Sequence, residues 1–79
     1  MRVCIKFLGN LAELLGSEVC LELSRCSSIA EVMWSLIKEK NVPVVPEHLI
    51  FLSGGKSVSP EDSICRFNEL YVIRTLQGG

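Results

Sequence analysis

The chain has 79 residues, of which 48% are hydrophobic and 22% are charged, and its formal net charge at pH 7 is −1. This length suits one domain, near the size at which a single hydrophobic core is just sufficient. The balanced charge, with no run of one sign, argues against nucleic acid as a partner because phosphate binding needs clustered Lys and Arg. No apolar stretch approaches the roughly 20 residues of a membrane span, and the N-terminus lacks a signal-peptide pattern. We therefore expect a cytoplasmic globular domain that binds neither nucleic acid nor a membrane.

Two segments of alternating hydrophobicity begin the chain. Residues 2–8 and residues 17–24 alternate between apolar and polar side chains, which predicts two half-buried strands. Residues 10–16 between them contain three leucines and end on Gly16, a residue suited to stopping a helix. This link is therefore either one helical turn or a loop, and the two strands are expected to form a hairpin with a long connection.

A helical period follows the hairpin. Ser28 and Glu31 have the spacing of a capping box, and the apolar residues after the cap recur at helical intervals. That apolar stripe consists of Ile29, Val32, Met33, Leu36 and Ile37. Asn41 and Pro43 predict that the helix ends near residue 41. Trp34 falls beside the stripe, so we expect it to flank the core and not to form a platform for a ligand.

The second half of the chain is typical of short strands joined by turns. Residues 49–52 and 69–76 predict strands, residues 53–55 and 60–63 predict turns, and residues 57–58 predict a very short strand. A single helix can cover only one face of the resulting sheet. The other face should be open, and the apolar residues expected there are Ile50, Tyr71 and Ile73, with Leu8 beside them.

The four cysteines, Cys4, Cys20, Cys26 and Cys65, allow either disulfides or a zinc site. No C-x-x-C pair is present, and the one histidine, His48, has no ligand-like spacing to any cysteine. Because no secretory signal is visible, we expect free thiols that are structural or incidental, and no metal site.

The sequence ends in Gly78-Gly79, directly after the last predicted strand. Glycine reaches backbone conformations that are closed to other residues. A terminal pair of glycines is thin enough to enter a narrow channel and present its carboxylate to the active site of another protein. The alternative is a frayed end without a function, as many termini are.

The order of these features resembles the ubiquitin-like β-grasp proteins of the sulfur-carrier family. That family includes the small subunit of molybdopterin synthase (molybdenum cofactor biosynthesis) and the sulfur carrier of thiamine biosynthesis. The residues that carry the resemblance are Val3-x-Ile5-x-Phe7, Leu11-Ala12-Glu13-Leu14, the helix led by Ser28, Asn68-Glu69-Leu70-Tyr71-Val72 and Gly78-Gly79. The resemblance implies an α+β fold, with a mixed sheet of four to five strands and one main helix packed on one face. It also implies a β-grasp domain over residues 1–76 and a flexible tail over residues 77–79.

The chain departs from the family pattern at two places. Phe67-Asn68 stands where carriers often have Gly-Asp, and Arg74-Thr75-Leu76-Gln77 stands where molybdopterin synthase small subunits often have prolines. The pathway that receives the sulfur is therefore not determined by the sequence.

The resemblance implies a protein co-substrate and not an enzyme. An E1-like adenylating enzyme would use ATP to activate the carboxylate of Gly79, and a sulfur donor would convert it to a thiocarboxylate. A large synthase subunit or another acceptor would then receive the sulfur. Gly78 gives access, no residue of this chain is catalytic, and no cofactor is bound. Ile50, Tyr71, Ile73 and Leu8 would bind the partner.

Two other functions remain open on the sequence alone. A ubiquitin-like modifier would join Gly79 to lysines of target proteins, and an interaction domain would have an inert tail. The first shares the activation step with a sulfur carrier and differs in the acceptor. The second predicts no dependence on Gly79.

Overall fold

The structure, a computed structural model, describes residues 1–75. Its strands are β1 (Arg2–Phe7), β2 (Glu18–Glu22), β3 (Leu49–Ser53), β4 (Lys56–Val58) and β5 (Glu69–Arg74), its helices are α1 (Asn10–Leu15) and α2 (Ile29–Lys40), and its 3₁₀ turns are Pro46–His48 and Ile64–Arg66. The link between the first two strands is thus a short helix. The predicted domain boundary at residue 76 and the predicted tail over residues 77–79 lie outside the described residues.

The five strands form one mixed sheet in the order β2-β1-β5-β3-β4. The pair β1 and β5 is parallel, and the other three pairs are antiparallel. The predicted hairpin of β1 and β2 is confirmed. Because β5 lies between β1 and β3, the last strand within residues 1–75 occupies the centre of the sheet and is paired on both sides.

Alternation along the strands decides which side chains meet α2. On β1 and β5 the inward side chains are fully or almost fully buried, and the buried residues of α2 are the five of the predicted stripe. The core comprises Val3, Ile5, Phe7, Leu11, Leu15, Ile29, Val32, Met33, Leu36, Ile37, Val44, Leu49, Phe51, Ile64, Leu70 and Val72. Leu11 and Leu15 of α1 are buried in this core, whereas Leu14 is exposed. Trp34 is 40% exposed, as expected for a residue beside the stripe.

Both ends of α2 follow from local chemistry. The Ser28 hydroxyl oxygen accepts a hydrogen bond from the Glu31 N–H at 3.1 Å, and the Glu31 carboxylate accepts one from the Ser28 N–H at 3.2 Å. This reciprocal pair satisfies two backbone donors that the first helical turn leaves without partners. Asn41 ends the helix in the left-handed conformation, with φ 54°, which Asn tolerates better than most residues.

The turn between β3 and β4 depends on its two glycines. Gly54 and Gly55 have φ values of 61° and 80°. Positive φ at both central residues of a two-residue hairpin turn matches the twist of the flanking strands, and glycine adopts it without a steric penalty. The sequence prediction of a turn here is confirmed.

The prediction of free thiols is wrong. Cys4 is bonded to Cys20 and Cys26 to Cys65. The register of β1 and β2 sets Cys4 directly opposite Cys20, with their Cα atoms 4.0 Å apart. Spacing along the sequence does not reveal such a register, which is why the pairing was missed.

The second disulfide joins two segments that are already tied together. Ile64 donates its N–H to the Ser27 oxygen at 2.8 Å, and Ile29 donates its N–H to the Asp62 oxygen at 2.9 Å. These bonds hold the 3₁₀ turn Ile64–Arg66 against the beginning of α2. Cys26 and Cys65 therefore become neighbours although they are 39 positions apart in the sequence.

Candidate functional site

The face of the sheet opposite α2 carries an exposed group of apolar side chains. Ile50 of β3 lies directly opposite Ile73 of β5 in the strand register, and each is 39% exposed. Leu8, which is 41% exposed, lines a shallow depression of about 260 Å³ together with Ile73 and Arg74. We call Leu8, Ile50 and Ile73 the apolar patch. It lies at the end of β5, at the point where the chain continues toward Gly78-Gly79.

Tyr71 lies two positions before Ile73 on the same face, in a more polar setting. It is half-buried between Lys6 of β1 and Leu52 of β3, which are its register neighbours. The Lys6 Nζ atom is 5.4 Å from the centre of the Tyr71 ring, within the range of a cation–π contact. Tyr71 thus connects the apolar patch to a charged group.

The charged group consists of Lys6 and Glu69. The Lys6 Nζ atom lies 2.9 Å from a carboxylate oxygen of Glu69, and both side chains are exposed to solvent. The hydrogen bond to Glu69 and the charge of its carboxylate raise the pKa of Lys6 above its usual value of 10.5. Exposed pairs of this kind contribute little to stability, and this pair makes the surface beside Tyr71 polar.

The structure brings together the four residues that the sequence assigned to partner binding. Leu8, Ile50, Tyr71 and Ile73 share the open face, and their accessibility leaves them available to a partner. Their binding role stays a prediction. The activated residue Gly79 and the access residue Gly78 lie outside the described residues. Thr75 donates its N–H to the His48 oxygen at 2.9 Å, so the described chain remains paired to the sheet up to that point.

Sequence reasoning did not assign Lys6 and Glu69 to the site. The apolar–polar alternation of residues 2–8 puts Lys6 on the same face as Cys4, and this signal could have assigned Lys6 to the open face. The neighbourhood of Lys6, Glu69 and Tyr71 depends, however, on the parallel pairing of β1 with β5. That pairing joins the two ends of the chain and has no signature in either segment alone.

One group of side chains in residues 1–75 has the composition of a metal site. The ligand atoms of Cys4, Glu18 and Cys20 lie within 4.8 Å of one another. The two sulfur atoms are bonded to each other, and metals bind the thiolate form of cysteine. The intact disulfide therefore withholds two of the three ligands.

Neither α1 nor α2 is long and apolar enough to cross a membrane. The finding applies to the helices within residues 1–75.

Comparison with known proteins identifies the fold. No protein-family model and no curated protein matches the sequence. Among solved structures, the chain is similar to SAMP1 from Haloferax volcanii, with a TM-score of 0.72, 16% identity and full coverage of both chains. It is also similar to another crystal structure of H. volcanii small archaeal modifier protein 1, with a TM-score of 0.70, 16% identity and coverage of 95% of this chain and 98% of that one. The fold is therefore the ubiquitin-like β-grasp, as the resemblance implied, with five strands and one main helix.

Proposed function

We propose that this protein is a sulfur carrier whose Gly79 carboxylate is activated by an E1-like adenylating enzyme and converted to a thiocarboxylate. The observation that carries the proposal is the position of β5. This central strand runs beside the apolar patch and leads, within a few residues, to Gly78-Gly79. A partner that docks on the patch would have the tail within reach of its active site.

The chemistry begins with a poor electrophile. A carboxylate oxygen of Gly79 attacks the α-phosphorus of ATP, and pyrophosphate leaves. Sulfide (HS⁻) released by a donor then attacks the acyl carbon of the adenylate, and AMP leaves with the electron pair of the bond that breaks. The product is a terminal thiocarboxylate, whose sulfur passes to an acceptor such as a pterin, a thiazole precursor or a tRNA base. ATP is used by the partner, and this chain holds no cofactor.

The protein acts as a co-substrate in this scheme. General acid–base catalysis needs a positioned titratable group near the reacting atoms. His48 is exposed on a 3₁₀ turn, and all four cysteines are in disulfides. We therefore assign proton transfers to the activating enzyme, and to Gly78 and Gly79 only access and the reacting group.

The apolar patch is the surface we assign to the activating enzyme. Ile50 and Ile73 adjoin across two paired strands, and Leu8 extends the patch toward the end of β5. Interface centres are rich in apolar side chains and poor in charges, with a polar rim around them. Lys6, Glu69 and the hydroxyl group of Tyr71 would supply part of that rim.

The test separates the tail from the patch. Deletion of Gly78-Gly79 should leave folding intact and abolish ATP-dependent adenylation, measured as exchange of labelled pyrophosphate with ATP. Ile73→Asp should keep the tail and weaken binding of the enzyme, while Leu14→Asp, at a site 37% exposed on α1, serves as the matched control. Adenylation of the truncated chain, or equal effects of the two Asp variants, would contradict the proposal.

The thiocarboxylate itself is detected by mass. Protein isolated from its own cells should be heavier by one sulfur in place of one oxygen, a gain of about 16 Da. Oxidation adds the same nominal mass, so the C-terminal peptide must be alkylated at sulfur and sequenced. The additional sulfur atom on any other peptide would contradict its assignment to Gly79.

A second function is favoured by the comparison structures, whose proteins are named as modifiers. In a modifier, the activated Gly79 would form an isopeptide bond with a lysine of a target protein. Affinity-tagged protein recovered from cells under denaturing conditions decides between the two. Conjugates that carry a Gly-Gly remnant on lysine indicate a modifier, whereas free protein with a terminal thiocarboxylate indicates a carrier.

We propose that adenylation of Gly79 takes place in the cytoplasm, where both ATP and adenylating enzymes are present. Disulfides are uncommon in that compartment. Trapping of thiols at the moment of lysis, combined with fractionation, would show in which compartment the protein lies and whether its cysteines are paired there.

A further inference from the structure

A groove runs along the free edge of the sheet, on the side of α2. The groove has a volume of about 780 Å³ and lies between β2, the following loop and one flank of α2. Its apolar lining comes from Leu21, Leu23, Val32, Trp34 and Leu36, and its charged lining includes side chains of both signs. This surface is separate from the apolar patch, which lies on the other face.

The edge of β2 offers backbone groups to a further strand. Leu23 donates its N–H to the Met1 oxygen at 2.7 Å, so the positions hydrogen-bonded to β1 are Leu23, Leu21 and every second residue. Cys20 and Glu22 occupy the intervening positions. Their N–H and C=O groups point away from β1, toward solvent, because β2 is the outermost strand.

The two edges of the sheet differ in how they are protected. The opposite edge is β4, which has three residues and begins with Lys56, and short edge strands with a lysine resist further pairing. β2 has five residues, and its outer edge is uncovered in the described part of the chain. It displays Glu18 and Glu22, which are exposed and form no salt bridge within residues 1–75.

These glutamates decide which strand can be added. In a two-fold antiparallel pairing of two copies centred on Cys20, Glu18 would lie directly opposite Glu22 of the second copy. Like charges in that position are destabilising, so a second copy is a poor occupant. A strand with Lys or Arg opposite Glu18 and Glu22 would instead form two cross-strand ion pairs.

From these observations we propose that the β2 edge binds an extended, cationic peptide segment of a partner protein by strand addition. The segment alternates basic residues, opposite Glu18 and Glu22, with apolar residues that point into the groove and contact Leu21, Leu23 and the flank of α2. Main-chain hydrogen bonds to Cys20 and Glu22 supply affinity, and the alternating side chains supply specificity. This interaction does not depend on Gly79 or on the proposed sulfur chemistry.

The probe is a synthetic peptide of about seven residues, Lys-Val-Thr-Leu-Lys-Leu-Thr with blocked ends, long enough to span β2. Trp34 is the one tryptophan of the chain and lines the groove, so its fluorescence reports occupancy. We expect saturable binding that weakens as NaCl is raised, since salt screens exposed charges. In an antiparallel addition, the threonine before the central leucine lies opposite Cys20, and its N–H points toward β2. A peptide with proline in place of this threonine should not bind, because proline cannot donate the ladder hydrogen bond.

Charge reversal supplies the matched variants. Glu22→Lys should weaken binding of the basic peptide by about tenfold, from the loss of one cross-strand ion pair and the addition of one repulsion. Glu13→Lys makes the same charge change on the exposed surface of α1, away from the groove. It should leave the affinity unchanged, as should deletion of Gly78-Gly79.

Four results would overturn the proposal. The first is the absence of a saturable change in Trp34 fluorescence, and the second is peptide binding that Glu22→Lys does not weaken. The third is a set of peptide-induced amide chemical-shift changes on the open face instead of at Cys20 and Glu22. The fourth is a dimer, detected by sedimentation, that pairs through β2. The first would mean that the glutamates only protect the edge, and the last would identify a second copy as the occupant.

Discussion

Replacement of Cys26 and Cys65 by serine removes the disulfide that closes the longer of the two loops, with a sequence separation of 39 against 16 for Cys4 and Cys20. In the chain-entropy account, a bridge across the longer loop stabilises by about 4 kcal/mol and one across the shorter loop by about 3 kcal/mol. A domain of this size has a total unfolding free energy on the order of 4–12 kcal/mol. Either loss is therefore a large fraction of the whole.

Backbone hydrogen bonds accompany both bridges. Cys4 and Cys20 lie inside a paired hairpin, and the 3₁₀ turn that carries Cys65 is tied to the start of α2 by the N–H groups of Ile64 and Ile29. The expected difference therefore rests on loop length, and loss of the second bridge should cost about 1 kcal/mol more than loss of the first.

Urea unfolding of the two paired serine variants, followed by circular dichroism, measures both losses. The difference should also appear as a melting temperature about 4–8 °C lower for the Cys26→Ser, Cys65→Ser variant. If that variant does not fold, reduction of the wild-type protein by graded dithiothreitol, with alkylation and mass mapping of the bridges, gives the order instead. Equal losses, a reversed order, or wild-type protein with four alkylatable thiols in air would refute the reasoning.

Three further predictions concern the core, the cap and the ion pair. Ser28→Ala should lower the unfolding free energy by about 1 kcal/mol through loss of the α2 cap, whereas Ser35→Ala, at an exposed interior position of α2, should not lower it. Phe51→Ala should cost about 3–5 kcal/mol, since the side chain is 1% exposed, measured by urea unfolding. Because the pKa of Lys6 is raised in the folded protein, the stabilisation from its ion pair is fully present below the usual value of 10.5 and is lost as the pH rises through the folded pKa. Glu69→Gln should lower the pKa of Lys6 in an NMR titration. An unchanged pKa of Lys6 would contradict the assignment of the shift to Glu69.

Much of the fold was predictable because its signals are local. The capping box at Ser28, the stop at Asn41 and the alternation of β5 each depend on residues close together in the sequence, and each is confirmed. The glycine pair of the β3–β4 turn is a signal of the same kind. The family resemblance implied a mixed sheet, but the strand order was not predicted, because the parallel pairing of β1 and β5 depends on segments more than sixty positions apart.

The site was predictable in part for the same reason. Alternation along β5 was sufficient to put Tyr71 and Ile73 on the open face, and their exposure agrees with it. The groove beside β2 was not anticipated, because a free edge is a property of strand order. The disulfides were not predicted because compartment and motif spacing do not determine bridging, which is decided by which Cα atoms the folded chain brings within reach.

The pairing of the cysteines bears on which group carries sulfur. A thiolate becomes a persulfide by accepting the outer sulfur of a donor persulfide, and a sulfur already bonded to a second cysteine cannot act as that acceptor. All four cysteines are paired, which supports the assignment of transferable sulfur to the carboxylate of Gly79. Reduction of the Cys4–Cys20 disulfide would make its thiols available as sulfur acceptors. They would lie on the same face as the apolar patch, beside Glu18. The redox state of this one bridge therefore decides whether a thiol competes with the terminal carboxylate, and the two routes leave the sulfur on different peptides of the same chain.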